Sequence, residues 1–189
     1  MIRLLRYQDY PAMSWKNGQG VTREIYRFPE RMKEYEWRIS IATIANSGPF
    51  SRFDGYLRNI SVLEGGGMHL IINGEKSKLI NSFQATNFSG EAIVDCQVVN
   101  GPLLDFNVIY RADRVQASVV WEGGGCWDYE RGIRLLFNAG DNLRVQIEGK
   151  MFILQRYDCL IVDSQESLMI SENSEKNVAR VTLFTHPTQ

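Results

Sequence analysis

The sequence predicts an all-β fold. Three observations carry that expectation: apolar and polar residues alternate in short runs, the runs end at Gly, Asn or Asp, and no long stretch holds a 3.6-residue apolar period. β-branched and aromatic residues dominate the runs, as a pleated, half-buried surface favours.

In chain order, Trp37-Arg38-Ile39-Ser40-Ile41 alternates large apolar with polar residues. Ile60-Ser61-Val62 and Met68-His69-Leu70-Ile71-Ile72 follow. Asn73-Gly74 is a hairpin signal, because a tight two-residue turn needs positive φ at both positions. Further runs are Phe106-Asn107-Val108-Ile109-Tyr110, Leu143-Arg144-Val145-Gln146-Ile147 and Val178-Ala179-Arg180-Val181-Thr182-Leu183-Phe184. The best helix candidate, from Pro29 to Tyr35, is short and charged and reads equally as a loop.

The chain also repeats itself. Residues 60–79, ISVLEGGGMHLIINGEKSKL, align without gaps to residues 135–154, LLFNAGDNLRVQIEGKMFIL. Ile60 falls on Leu135, Gly65 on Gly140, Leu70 on Val145, Ile72 on Ile147 and Gly74 on Gly149. Any two hairpins share some of this phase, but the matched glycines and apolar positions favour a duplicated β-barrel. No flexible linker separates the copies, so they are expected to pack as one unit.

At 189 residues the chain can bury a real core. It carries 21 basic and 22 acidic side chains for a net charge of -1, a balance that argues against nucleic acid and against an anionic membrane surface as partners. No segment has the apolar length of a signal peptide or a membrane span, so a cytoplasmic location is expected. Cys96, Cys126 and Cys159 are scattered and odd in number, which suits a reducing compartment and gives no thiolate zinc spacing. His69 and His186 are the only histidines, far apart, which leaves neither a metal site nor a His-based catalytic triad with support.

Three constellations could carry chemistry. In SWKNGQGVTREI (14–25), a phosphate cradle would need a helix after the glycines, and Val21 to Phe28 read as strand instead. Two readings remain: a turn with Lys16 and Asn17 in solvent, or a pocket wall to which they bring charge and hydrogen bonds. In SGPFSRFDGYLRNISV (47–62), Arg58 shares strand parity with Ile60 and Val62 and so faces the interior. It must find an anion there or reach the rim: a salt bridge to Asp54 or Asp105, or a fork for a ligand carboxylate. In GPLLDFNVIYR (101–111), Asp105 and Asn107 share one face, where they could hold the polar end of a ligand or buttress Arg58 or Lys16.

Together, WKNGQGVTREI, WRISIA, SGPFSRFDG with Arg58, the LEGGG turn and GP..DFNVIYR, in this order and spacing, resemble the HutD/Ves family. The resemblance covers most of the chain and is most specific over residues 14–111. It implies a bicupin, two jelly-roll β-barrels in one chain with RmlC-like cupin architecture. Domains are then expected at 1–112, with the ligand pocket, and at 113–189. The ligand-binding residues carried over are Trp15, Lys16, Asn17, Arg38, Phe53, Arg58, Asp105 and Asn107. The family is associated with histidine utilisation, where binding of an acidic intermediate such as N-formylglutamate has been proposed, and other members carry a stress-induced label. The chain departs from the family pattern at Gln19, where Gly is usual, at Ser14, where Pro is common, and in Phe53-Asp54-Gly55-Tyr56-Leu57-Arg58, which lacks a Pro. The paired histidines and Glu of the cupin metal signature are absent, so no metal and no other cofactor is expected. The favoured expectation is a metal-free binder of a small anionic metabolite with a regulatory role. The rivals are a metal-free isomerase or hydrolase using Lys16, Glu24 or Asp105, and a stress-related homodimer pairing through sheet edges.

Overall fold

The structure, a computed structural model, describes residues 1–15, 18, 20–171 and 175–185. Its strands, in chain order, begin with β1 (Ile2–Leu5), β2 (Ala12–Ser14), β3 (Gly20–Phe28), β4 (Trp37–Ile44) and β5 (Gly48–Pro49). There follow β6 (Tyr56–Glu64), β7 (Met68–Ile72), β8 (Glu75–Lys76), β9 (Thr86–Ser89), β10 (Val94–Val98) and β11 (Leu103–Arg111). The second half holds β12 (Val115–Glu122), β13 (Gly125–Trp127), β14 (Ile133–Asn138), β15 (Leu143–Ile147) and β16 (Lys150–Leu154). It ends with β17 (Cys159–Val162), β18 (Leu168–Ile170) and β19 (Val178–Thr185). A single 3-10 turn, Tyr7–Asp9, is the helical content among the described residues, and Pro29 to Tyr35 is a loop.

The strands form four sheets, with orders β2-β3-β4-β11-β6-β9, β5-β10-β7-β8, β1-β17-β14-β19-β12 and β13-β18-β15-β16. Within these orders each strand from β4 to β11 has its counterpart eight strands later: β4-β11-β6-β9 matches β12-β19-β14-β17, and β5-β10-β7-β8 matches β13-β18-β15-β16. The repeat in the sequence is therefore a repeat of topology. The turns match as well. Asn73-Gly74 joins β7 to β8 and Glu148-Gly149 joins β15 to β16, all four residues at positive φ, as a two-residue hairpin requires.

Each half of the duplication is a pair of sheets around an apolar core. In the N-terminal half, Ile44, Ile60 and Val62 of the larger sheet meet Met68, Leu70, Val94 and Cys96 of the smaller. In the C-terminal half, Leu136, Leu160, Val162 and Val178 meet Leu143, Val145, Ile147 and Leu168. The expectation of two closed barrels is met only as far as these paired sheets, for none of the four closes on itself among the described residues. The ladder breaks where the chain crosses from one sheet to the other. Between β6 and β7 the crossing is made by Gly65–Gly67, and a Cβ at Gly65 would sit 2.8 Å from the Pro102 carbonyl oxygen.

The two compact units are Pro11–Val115, and Met1–Tyr10 together with the described residues of 116–185. The first ten residues thus differ from the 1–112 boundary expected from sequence. The physical reason is pairing: β1 runs antiparallel to β17, Ile2 opposite Val162 and Leu5 opposite Cys159. Asp158, 1% exposed, holds this segment in place. Its carboxylate accepts from Arg6 Nη1 (2.7 Å), the Tyr7 N–H (2.9 Å) and the Gln155 N–H (2.9 Å).

Asp158→Ala leaves two backbone donors and a guanidinium short of an acceptor. It is expected to cost about 3 kcal/mol, a fall of roughly 6–12 °C in melting temperature, read by calorimetry. A fall below about 2 °C would contradict this anchoring role.

Candidate functional site

The interior face of the larger N-terminal sheet is apolar at one end and polar at the other, and the register of three central strands explains why. Ala42 lies opposite Asp105 and Asp105 opposite Val62; Ser40 opposite Asn107 and Asn107 opposite Ile60; Arg38 opposite Ile109 and Ile109 opposite Arg58. Ile60 and Val62 belong to the core, so Arg38, Ser40, Asp105, Asn107 and Arg58 share the face that encloses it.

These residues line a cavity of about 750 Å³, within the range of small-molecule sites. Trp15, Phe50, Ser51 and Phe53 complete its wall. Trp15 is set by the opening loop. Its N–H donates to the Gly20 carbonyl (2.9 Å), its carbonyl accepts from Gly18 (3.0 Å), and its indole N–H donates to Thr22 Oγ1 (2.8 Å). Gly20 is required there, since a Cβ would lie 2.4 Å from the Thr43 carbonyl oxygen and 2.8 Å from the Trp15 ring.

Arg58 is 6% exposed. Its guanidinium carbon stands 5.0 Å from the Phe50 ring centre, 5.3 Å from Phe53 and 5.0 Å from Phe88, within cation–π range of all three. Nη2 donates to Asn107 Oδ1 (2.7 Å), and Asn107 Nδ2 donates to Asp105 Oδ1 (2.6 Å). Asn107 is thereby fixed, oxygen toward the cation and nitrogen toward the acid. Arg38 lies over the Tyr35 and Phe53 rings at 5.3 and 5.5 Å. Among the described residues neither arginine has an ion pair, and the Nε of each is buried without a hydrogen-bond partner. Asp54, the other candidate counterion, is paired to Arg52 at 3.1 Å.

Burial pushes the Arg58 guanidinium down to about 10, with Asp105 partly offsetting it. Burial pushes the Asp105 carboxyl up to about 7, opposed by Arg58, the Ala42 N–H and Asn107. Both groups are thus held toward neutrality by the same low-dielectric surroundings.

Of the residues expected at the site, Trp15, Arg38, Phe53, Arg58, Asp105 and Asn107 come together here. Lys16 and Asn17 lie outside the described residues. Glu24, a candidate acid of the enzyme reading, is held by Arg27 through two hydrogen bonds of 2.6 and 2.5 Å. Sequence reasoning missed the role of Phe88, which sits directly opposite Arg58 in the β6–β9 ladder. Only the pairing reveals it, and nothing in local sequence points there.

The C-terminal counterpart of this face also carries two interior arginines. Arg134 pairs with Thr182 across the ladder, and Arg180 with the core residue Leu136. There the protein supplies partners for the terminal nitrogens itself, although the Nε of each is again buried without one. Trp127 lies 5.6 Å from each guanidinium, Arg180 pairs with Glu122 at 2.9 Å, and Thr182 donates to Glu130 at 2.8 Å. Arg134 donates to the carbonyls of Ser164 and Glu166.

The family model for HutD matches residues 7–179. The chain belongs to the HutD family. An uncharacterized 21.2 kDa protein in the hutC 3′ region of Pseudomonas putida is 42% identical over 171 residues, 89% of this chain and 90% of that protein. Protein Ves of Escherichia fergusonii is 42% identical over 110 residues, 58% of each chain. The solved structure of HutD from Pseudomonas fluorescens SBW25 superposes with a TM-score of 0.86 at 33% identity, over 99% of this chain and 100% of that one. A cupin 2 conserved barrel domain protein from Leptotrichia buccalis, at 11% identity, a TM-score of 0.57 and coverage of 97% and 96%, shows a cupin-like fold. No helix among the described residues is long and apolar enough to cross a membrane.

Two outcomes follow for this site. Gly20→Ala forces the Thr43 backbone or the Trp15 ring aside, and is expected to destabilise by about 2 kcal/mol and to move the Trp15 indole N–H resonance. An unmoved resonance at full stability would contradict the packing described. Asp105→Asn tests the buried acid. An acid whose folded-state pKa is raised keeps its proton in the native state after the unfolded chain has lost it, so the fold loses stability as pH rises from 3.8 to about 7. The variant is spared that loss. Its melting temperature relative to the parent is expected to climb by at least about 3 °C across that window and to level off above it. A constant difference would show that Asp105 is ionised in the native state throughout.

Proposed function

We propose that the chain is a bicupin of two jelly-roll units that binds a small anionic metabolite in its N-terminal cavity, with no metal, and serves a regulatory role in amino-acid use or stress response. The observation that carries this reading is the pair Arg38 and Arg58, lining one cavity with no carboxylate on either among the described residues. A buried guanidinium without a counterion is costly, and an entering carboxylate supplies one in the bidentate geometry that Arg favours. Phe50, Phe53 and Trp15 offer the apolar wall that covers a ligand's carbon skeleton. The relatives named for hutC and HutD support looking first among acids of histidine breakdown, N-formylglutamate included.

A second reading, an acid–base enzyme, is favoured by one observation: a carboxyl raised to about 7 lines a cavity beside a cation. Proton transfer works best from a group that titrates near the operating pH. Turnover of a bound acid that disappears in Asp105→Asn would select this reading over simple binding.

A thermal-shift titration against N-formylglutamate, urocanate, glutamate, histidine and a neutral analogue tests the proposal. A ligand at a hundred times its dissociation constant adds about 2.7 kcal/mol to the native state, a rise of roughly 5–10 °C. The rise is expected for an acid, absent for the neutral analogue, and lost in Arg58→Ala and in Arg38→Ala. Arg38 is in no ion pair among the described residues and is less buried than Arg58, so its variant keeps the fold if Arg58→Ala does not. An equal shift for the neutral analogue, or for the acid in both variants, would overturn it.

A further inference from the structure

Asp105 is difficult to reconcile with an anion site as a mere counterion. It lines the same cavity as Arg58 and Arg38, yet makes no ion pair with either, and an amide stands between it and Arg58. An anion drawn to the guanidinium groups therefore enters beside a carboxylate that is 2% exposed. Two carboxylates sharing a low-dielectric site raise the proton affinity of one of them, and the one whose burial already favours the neutral form is Asp105.

The groups around Asp105 agree with that assignment. From β4 it meets the Ala42 N–H, with Arg38 two rows along; from β6 it meets Arg58. From the facing sheet comes the Cys96 thiol, which burial and Asp105 push up to about 12 and which stays protonated. On β3, Glu24 aligns with Ser40 but is held by Arg27. On β11 itself the neighbour is Asn107, its Nδ2 already given to Oδ1.

We propose that Asp105 is the specificity-determining group of this cavity: it binds the ligand as a neutral carboxyl, so that an anion and one proton enter together. The proposal rests on the anion-binding reading above. The protonated acid then joins the arginines as a donor to the anion, and the cavity goes from holding its own negative charge to holding the ligand's. It discriminates against cations, which would compete with Arg58, and in favour of groups that accept a hydrogen bond. Linkage gives the consequence: above the free-state midpoint of Asp105, affinity falls about tenfold for each unit of pH, and below it affinity is flat.

The test is the carboxyl ¹³C resonance of Asp105, titrated with pH in the free protein and again in excess sodium acetate, with Asp105→Asn to assign it. Acetate is fully ionised throughout the neutral range, so any proton taken up belongs to the protein. The expected result is a free midpoint near neutrality that moves upward by about one unit or more with acetate, while in Asp105→Asn acetate affinity no longer varies with pH. A free midpoint in the ordinary Asp range overturns the proposal. So does a midpoint that acetate leaves in place while the Arg58 Nε and Phe53 resonances shift, in which case anion binding itself stands. Acetate that moves no cavity resonance at any concentration overturns both.

Discussion

The N-terminal unit is organised around one cation inside its sandwich. Arg58 stands on the interior face of a central strand, gives one hydrogen bond to Asn107 and is enclosed by three phenylalanine rings. Everything else at the site is arranged by that placement. Asn107 must turn its oxygen to the guanidinium, so its nitrogen faces Asp105. The sheet register puts Arg38 one strand beyond Ile109, so a second cation flanks the same space. The Trp15 turn, made possible by the bare Cα of Gly20, forms part of the wall. Nature more often pairs a buried guanidinium with a carboxylate; here the nearest one is a step away, behind an amide.

The duplication supplies an internal comparison. Both units run the same strand order, and both carry two arginines on the interior face of the larger sheet. In the C-terminal unit Trp127 lies against both guanidiniums, Glu122 neutralises Arg180, and backbone carbonyls take up the donors of Arg134. An aromatic ring, a carboxylate and carbonyl oxygens are thus what this fold provides when it satisfies such a pair itself. In the N-terminal unit the rings are present, but Arg38 has no ion pair among the described residues. The Nε atoms of all four arginines lack a partner, so the contrast lies in the terminal nitrogens and in the Glu122 ion pair, and it favours a carboxylate that comes from outside.

Much of this was legible in the sequence because strands report parity. Arg58 could be placed on the interior from Ile60 and Val62 alone, Asp105 and Asn107 on one shared face from their spacing of two, and the repeat from its glycines, although its gap-free alignment sets Ile60 on Leu135 where the core residue is Leu136. The hairpin at Asn73-Gly74 follows from residues that tolerate positive φ, whereas Glu148 adopts φ 51° against its preference and only Gly149 marks that turn in the sequence. What stayed hidden depends on long-range pairing. Asn59 and Ser61 look like a solvent face, yet they are 3% and 0% exposed, because the sheet is buried on both faces. For the same reason the polar side of Trp37-Arg38-Ile39-Ser40-Ile41 is the cavity side and not the outside. Phe88 meets Arg58 only through the β6–β9 ladder, and β1 joins the distant unit only through β17. Alternation tells which residues share a face; it does not tell what lies against that face.

The central claim is that the buried Arg58 guanidinium awaits an external carboxylate. A crystal structure grown with 4-bromobenzoate, whose aryl bromine does not react with the exposed Cys126 thiol and marks its position by anomalous scattering, tests it most directly. The account predicts one bromine peak among Phe50, Phe53 and Trp15, with the carboxylate on the free edge of Arg58 and Arg38 and the Arg58–Asn107 bond intact. An empty cavity, with Arg58 turned to pair directly with Asp105, would contradict it.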